Sequence, residues 1–187
     1  MRKIIWAMSA SLDGFMSGPD GELDWHLVDD ELHRHFNELT SAMGAFLDGR
    51  VTWQLMAEAW PTADADPEST EPMREFAAIW RDMPKYVFSR TLEQADWNTT
   101  ILREVVPEEI RALKESADGD ISLGGADLAA SFLRLGLVDE IHVYVHPVLI
   151  GRGRPMFQAS DVKADLRLTQ TRTFGNGVVL LRYERVN

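Results

Sequence analysis

Residues 121–157, ISLGGADLAASFLRLGLVDEIHVYVHPVLIGRGRPMF, decide how this chain is read. Ile121 and Leu123 mark a short apolar strand that runs straight into Gly124-Gly125. An alanine-rich amphipathic stretch follows, which predicts a helix over 126–135 stopped by Gly136. Residues 139–146 then read as a strand. Gly151, Gly153 and Pro155 mark a turn-rich segment, and Gly151-Arg152-Gly153 precedes no helix, so it is read as a turn and not as a dinucleotide fingerprint. Two glycines where a strand meets a helix leave backbone N–H groups bare at the positive helix end, where a phosphate can approach. The same pair also serves a tight turn on steric grounds alone, so taken singly it leaves both readings open.

Outward from this unit, strands and helices alternate. Ile4, Ile5, Trp6, Ala7 and Met8 form a continuous apolar run, the pattern of a central strand buried on both faces. Ser9 to Trp25 is glycine- and aspartate-rich and reads as a long loop, which in a compact domain usually serves function. A helix is expected to open near Asp29-Asp30-Glu31, with Leu32, Phe36, Leu39 and Met43 as its buried stripe. Residues 45–47 read as a strand, followed by Gly49 and a helix to about Ala57. WPTADADPESTEP, 60–72, reads as an exposed loop too short to divide the chain into domains. A helix over 73–81, a strand over 85–89, a strand near 99–103 and a helix from Pro107 come next. Two strands, about 165–174 and 178–185, join across Gly175-Asn176-Gly177, whose Asn-Gly is a hairpin signal. The sum is a single three-layer α-β-α domain over 1–187, its mixed central sheet mostly parallel with a C-terminal antiparallel hairpin.

Composition limits the function. A formal net charge of −11 argues against a general binder of nucleic acid or anionic membrane, both of which need a basic face. With no cysteine in the chain, disulfides, thiolate nucleophiles and cysteine–zinc sites are excluded. His33 and His35 do not share a helix face, and His142, Tyr144 and His146, which share a strand face, lack a carboxylate at suitable spacing; no metal site is expected. That strand face is instead a candidate subunit contact. The N-terminal apolar run ends at Asp13 and alternates like a strand, so a signal peptide is not expected and a cytoplasmic protein is.

Three further motifs carry chemistry. Gly49-Arg50-Val51-Thr52-Trp53 is a strand end, a glycine and a helix opening with a cation and a hydroxyl, which together suit a phosphate. Ser89-Arg90-Thr91 lies at the carboxyl end of a strand, where ligands of α/β sheets bind. Ser11-Leu12-Asp13-Gly14 is both a turn signal and a candidate substrate loop. Together with Gly124-Gly125, these motifs resemble the dihydrofolate reductase-like superfamily, and within it the C-terminal reductase domain of the riboflavin biosynthesis protein RibD. The resemblance runs nearly end to end.

That resemblance implies an NADPH-dependent reductase that transfers hydride to a C=N or C=O of a small heterocycle, of the 5-amino-6-(5-phosphoribosylamino)uracil reductase type. It implies that Gly49, Arg50 and Thr52 hold cofactor phosphates. Ser89, Arg90 and Thr91 would surround the 2′-phosphate, and the backbone of Gly124, Gly125, Ala126 and Leu128 would face the pyrophosphate. Asp127 would need to turn outward or cap the helix. Ser11, Asp13, Gly14 and Trp25 would meet the substrate, and Asp30 would be the catalytic acid near the nicotinamide, although Asp29-Asp30-Glu31 equally fits an ordinary helix start. A homodimer is a further expectation. A catalytically silent NADPH-binding module and a dihydrofolate reductase proper are the alternatives.

Overall fold

The computed structural model describes residues 2–158 and 162–186. Among them, eight strands pair into one sheet in the order β5-β4-β3-β6-β1-β7-β10-β9. These are β1 (Ile4–Ser11), β3 (Met43–Gly49), β4 (Lys85–Phe88), β5 (Thr99–Leu102), β6 (Asp120–Gly124), β7 (Glu140–His146), β9 (Leu166–Thr173) and β10 (Val179–Arg185). The pairs from β5 to β7 are parallel, and β10 and β9 add antiparallel at one edge, as the sequence pattern predicts.

Alternation along each strand splits the core between two helical layers. Ile4 and Trp6 of β1, Ala45 and Leu47 of β3, and Ile121 and Leu123 of β6 pack under α4 (Pro107–Ser116) and α5 (Ala126–Arg134). On the other face lie α1 (Asp30–Ser41), α2 (Arg50–Ala59) and α3 (Glu71–Asp82). There Ile5, Met43 and Phe46 meet Phe76 and Trp80 of α3 and Leu39 of α1. A fully buried side chain of this size stabilises the fold by roughly 1.5–3 kcal/mol.

Several boundaries differ from the sequence reading for identifiable reasons. β1 runs on to Ser11, because His146 of β7 pairs with it that far. The segment 9–25 is not all loop: β2 (Phe15–Ser17) pairs with β8 (Arg154–Pro155) in a two-stranded ribbon. Met43 belongs to β3 and not to the stripe of α1, which ends at Ser41. α3 opens at Glu71, with Pro72 in its first turn, so the loop over 60–72 is shorter than expected and holds a 3-10 turn at Ala63–Ala65.

Two buried charges anchor the layers. Lys85 is 1% exposed, yet its ammonium donates to the carbonyls of Trp80 and Met83 at the end of α3 and lies 4.4 Å over the Trp80 ring. A cation suits the negative end of a helix. At the amino end of the sheet, Glu140 is 1% exposed and accepts from Lys3, His142 and Arg182. Burial alone would raise its pKa, but these donors bring it down to about 2.

His142, Tyr144 and His146 do share one face of β7, but that face is buried, with Phe36 of α1 packed on Tyr144 and the chain before α1 packed on His146. The subunit contact expected there is therefore not an accessible surface. None of the described helices is long and apolar enough to cross a membrane.

Candidate functional site

Parallel strands deliver their carboxyl ends to one rim of the sheet, and β4, β3, β6 and β1 are consecutive neighbours. The motifs from 89, 49, 124 and 11 are therefore brought side by side. Ala7 and Ser9 of β1 and Ser122 and Gly124 of β6 lie on the face carrying α1 and α2, yet they are only half-buried. These small residues leave the middle of the eight-stranded sheet partly open on that face.

On the α2 side, Gly49 is the N-cap and Arg50 the first helical residue. Arg50 is exposed and hydrogen-bonds to Gln54, 2.8 Å away, with no carboxylate partner among the described residues. Thr52 turns its hydroxyl toward the glycine turn: a Cβ on Gly125 would lie 2.7 Å from Thr52 Oγ1. Gly125 has φ +87, a conformation side-chain-bearing residues rarely adopt, and it is the N-cap of α5 with no side-chain cap. Ala126 and Leu128 are both buried. Asp127, the residue whose charge needed an outlet, turns away and accepts from Arg154 and Gln158. Arg154 first and Gln158 second hold its pKa below the usual carboxylate range.

At the end of β4, the Ser89 hydroxyl accepts from the N–H groups of Thr91 (3.2 Å) and Leu92 (2.9 Å), so it shapes the turn. Arg90 and Thr91 are exposed, and Arg90 has no ion-pair partner among the described residues. Arg103, which the sequence reading did not single out, fastens this turn by donating to the carbonyls of Ser89 (2.9 Å) and Leu92 (2.6 Å).

The loop over 11–14 is held by its own polar side chains. Asp13 accepts from the Ser11 hydroxyl (2.6 Å) and from the N–H of Gly151 (2.7 Å). The Ser11 bond, ahead of the backbone bonds, keeps its pKa below the usual carboxylate range. Ser11 also accepts from the N–H of Phe15, and Gly14 turns at φ +88. Asp13 thus ties the loop to the 150–151 segment, while Ser11 bonds within the loop itself.

Trp25 belongs to a ring cluster with His26 and His146. The indole meets the two imidazoles edge-on at 4.2 and 5.5 Å, and the imidazoles stack at 5.2 Å. Leu27 N–H donates to His146 Nδ1, which leaves the proton of a neutral imidazole on Nε2. Burial, with His26 a second cause, lowers the His146 pKa to about 4. Trp25 Nε1, His26 Nε2 and His146 Nε2 are all buried without a hydrogen-bond partner among the described residues. His26 and His146 were missed as members of this cluster because nothing in their sequence spacing joins them to Trp25.

Asp30 is not a buried acid. Asp29 is the N-cap of α1 and accepts from the Leu32 N–H, while Asp30 lies beyond it with its side chain 54% exposed and 3.7 Å from Arg34. A separate apolar cavity of about 380 Å³, lined by Trp6, Ala130, Leu133 and Met156, opens on the opposite face of the sheet under α5. Of the motif residues above, Ala126 borders it.

The sheet order and the rim of phosphate-suited turns define a reductase-like fold. The chain matches the profile of the RibD C-terminal domain over residues 2–180, and it belongs to that family. It is 35% identical over 183 residues to the uncharacterized protein YyaP of Bacillus subtilis, covering 97% of this chain and 94% of YyaP. It is 29% identical over 168 residues to the riboflavin biosynthesis protein RibD of Mycobacterium tuberculosis, covering 85% of this chain and 45% of that longer protein. Acinetobacter baumannii RibD shares the fold, with a TM-score of 0.73 at 17% identity over all of this chain and 58% of the other.

Proposed function

We propose that this protein is a cytoplasmic NADPH-dependent reductase acting on a small heterocyclic substrate of the aminopyrimidine type. The observation that carries the reading is the side-by-side placement of Arg50 and Thr52, the Gly124-Gly125 turn and Arg90 at the ends of three consecutive parallel strands, beside a stretch of sheet whose small residues are only half-buried. The residues fit the cofactor in chemical kind. Two exposed arginines without carboxylate partners among the described residues suit phosphates, and the bare start of α5 suits a pyrophosphate.

When bound, NADPH would supply the hydride. The chain's own part is to hold and orient the two reactants and to exclude water between them. Gly49, Arg50, Thr52 and the backbone of Gly124, Gly125, Ala126 and Leu128 would hold the central phosphates. Ser89 and Thr91 would shape the turn that presents Arg90 to the 2′-phosphate. The Ser11–Asp13–Gly14 turn and Trp25 would form the substrate wall. Asp13 would act there by fixing the loop, since its oxygens are already engaged. A homodimer remains part of the proposal.

NADPH consumption with a pyrimidine or pterin acceptor tests turnover. Oxidation coupled to acceptor reduction is expected, and its absence across an acceptor screen in which NADPH binds would leave a binding module. Because Asp30 is exposed and paired with Arg34, Asp30→Asn is expected to keep kcat within about threefold, whereas loss of a true general acid costs about a hundredfold or more. A hundredfold loss in that variant would restore Asp30 as the acid.

A further inference from the structure

The glycine turn at the end of β6 has an acid set against it. Asp48, one residue before Gly49, lies on the sheet face that carries α2 and is 7% exposed. Its Oδ1 occupies the space a side chain on Gly124 would fill, with Thr52 Cγ2 3.2 Å from the same point. No described residue donates a hydrogen bond to this carboxyl. Among the described residues, Lys85 of β4 is the charged group that acts on it, and that ammonium is bound to the carbonyls of Trp80 and Met83. From α2 it faces Thr52, and from β6 bare Gly124.

A nearly buried ionised carboxylate without a donor is unfavourable, and a pyrophosphate arriving beside it would make it more so. The acid form has neither defect. Its O–H is a donor at the spot where phosphate oxygens need one. Burial already pushes the Asp48 pKa up to about 7, with Lys85 pulling the other way.

We infer that Asp48 is a ligand-binding residue of the dinucleotide site that works in its acid form, donating its carboxyl proton as a hydrogen bond to a pyrophosphate oxygen. Dinucleotide binding then brings a proton onto the protein. The inference rests on the cofactor reading above. The sign follows from linkage: a ligand that binds with a proton binds more weakly as pH rises.

The test is NADPH titration of the whole protein from about pH 7 to about pH 9, where the 2′-phosphate, with its second pKa of about 6, is already ionised. Calorimetry in two buffers of different ionisation heat counts protons taken up. The wild type is expected to take up a proton on binding, with Kd rising at least tenfold across the range. Asp48→Asn, whose amide donates without titrating, is expected to show a flat profile. Three results overturn the inference: binding to the wild type without proton uptake, a slope that survives in Asp48→Asn and so belongs to Lys85, or uniform tenfold weakening in the variant, the mark of a carboxylate that accepts. The proton count needs no variant, so it decides the matter even if Asp48→Asn fails to fold. Absence of NADPH binding to the wild type at about pH 7 removes the cofactor reading as well, whereas binding without a proton removes only the role of Asp48.

Discussion

Gly125→Val is expected to abolish NADPH binding in a protein that still folds. Two independent effects act at this position. With φ at +87, a branched side chain forces the turn into a conformation it disfavours, at a cost of about 1–3 kcal/mol. Its Cβ would also lie 2.7 Å from the Thr52 hydroxyl, so either Thr52 or the turn must move. Both are elements of the proposed cradle, and a displaced backbone N–H loses its aim at a phosphate. Kd is expected to rise at least about a hundredfold, the equivalent of two good charge-assisted hydrogen bonds. Tm should fall by about 2–10 °C, with the circular dichroism of a folded α/β protein retained. Dinucleotide affinity within threefold of wild type in the folded variant would mean that this turn does not touch the cofactor.

Glu140→Ala is expected to produce the largest loss of stability. The carboxylate is buried among Lys3, His142 and Arg182, and its removal takes this acceptor from His142 and Arg182 and leaves Lys3 with Glu184 alone. Lys3 and Arg182 are partly exposed and recover some hydration, so about 2–4 kcal/mol is expected at neutral pH. The same group sets an acid limb. Its folded pKa is depressed to about 2, so the stability it contributes is complete above the ordinary glutamate value of about 4.3. That contribution is lost as pH falls through this window toward about 2. Urea denaturation at a series of pH values should show this decline in the wild type and a shallower one in Glu140→Gln. Equal acid slopes in the two proteins would show that the Glu140 cluster does not control acid stability. The cluster lies at the amino end of the sheet, so neither variant should change the cofactor affinity of the folded protein.

Periodicity made most of the fold legible. The apolar run at Ile4–Met8, the glycine pair after Leu123 and the hairpin at Asn176 each express a local rule strong enough to survive tertiary context. Asn176 does more than turn the chain, since its side chain also donates to the Leu27 carbonyl and ties the hairpin to the segment before α1. What sequence could not supply is partnership across the sheet. Asp13 reads as a free polar group because two of its donors, the N–H groups of residues 150 and 151, lie far along the chain. Asp48 falls outside every motif legible in the sequence, and only the pairing of β3 with β6 sets it against Gly124. Asp29 and Asp30 are indistinguishable as helix-opening acids until the cap geometry separates them. Arg103 carries no motif, and its function in holding the 89–92 turn exists only once β5 lies beside β4.

The central claim is that this rim holds NADPH. It is tested most directly by titrating the purified apo-protein with NADPH and with NADH, following tryptophan quenching and energy transfer to the nicotinamide, in the wild type and in Arg90→Ala. Tight NADPH binding is expected, with NADH much weaker and the NADPH affinity falling about ten- to a hundredfold in the variant as one charge-assisted contact is lost. Failure of both dinucleotides to bind at millimolar concentration would contradict the account.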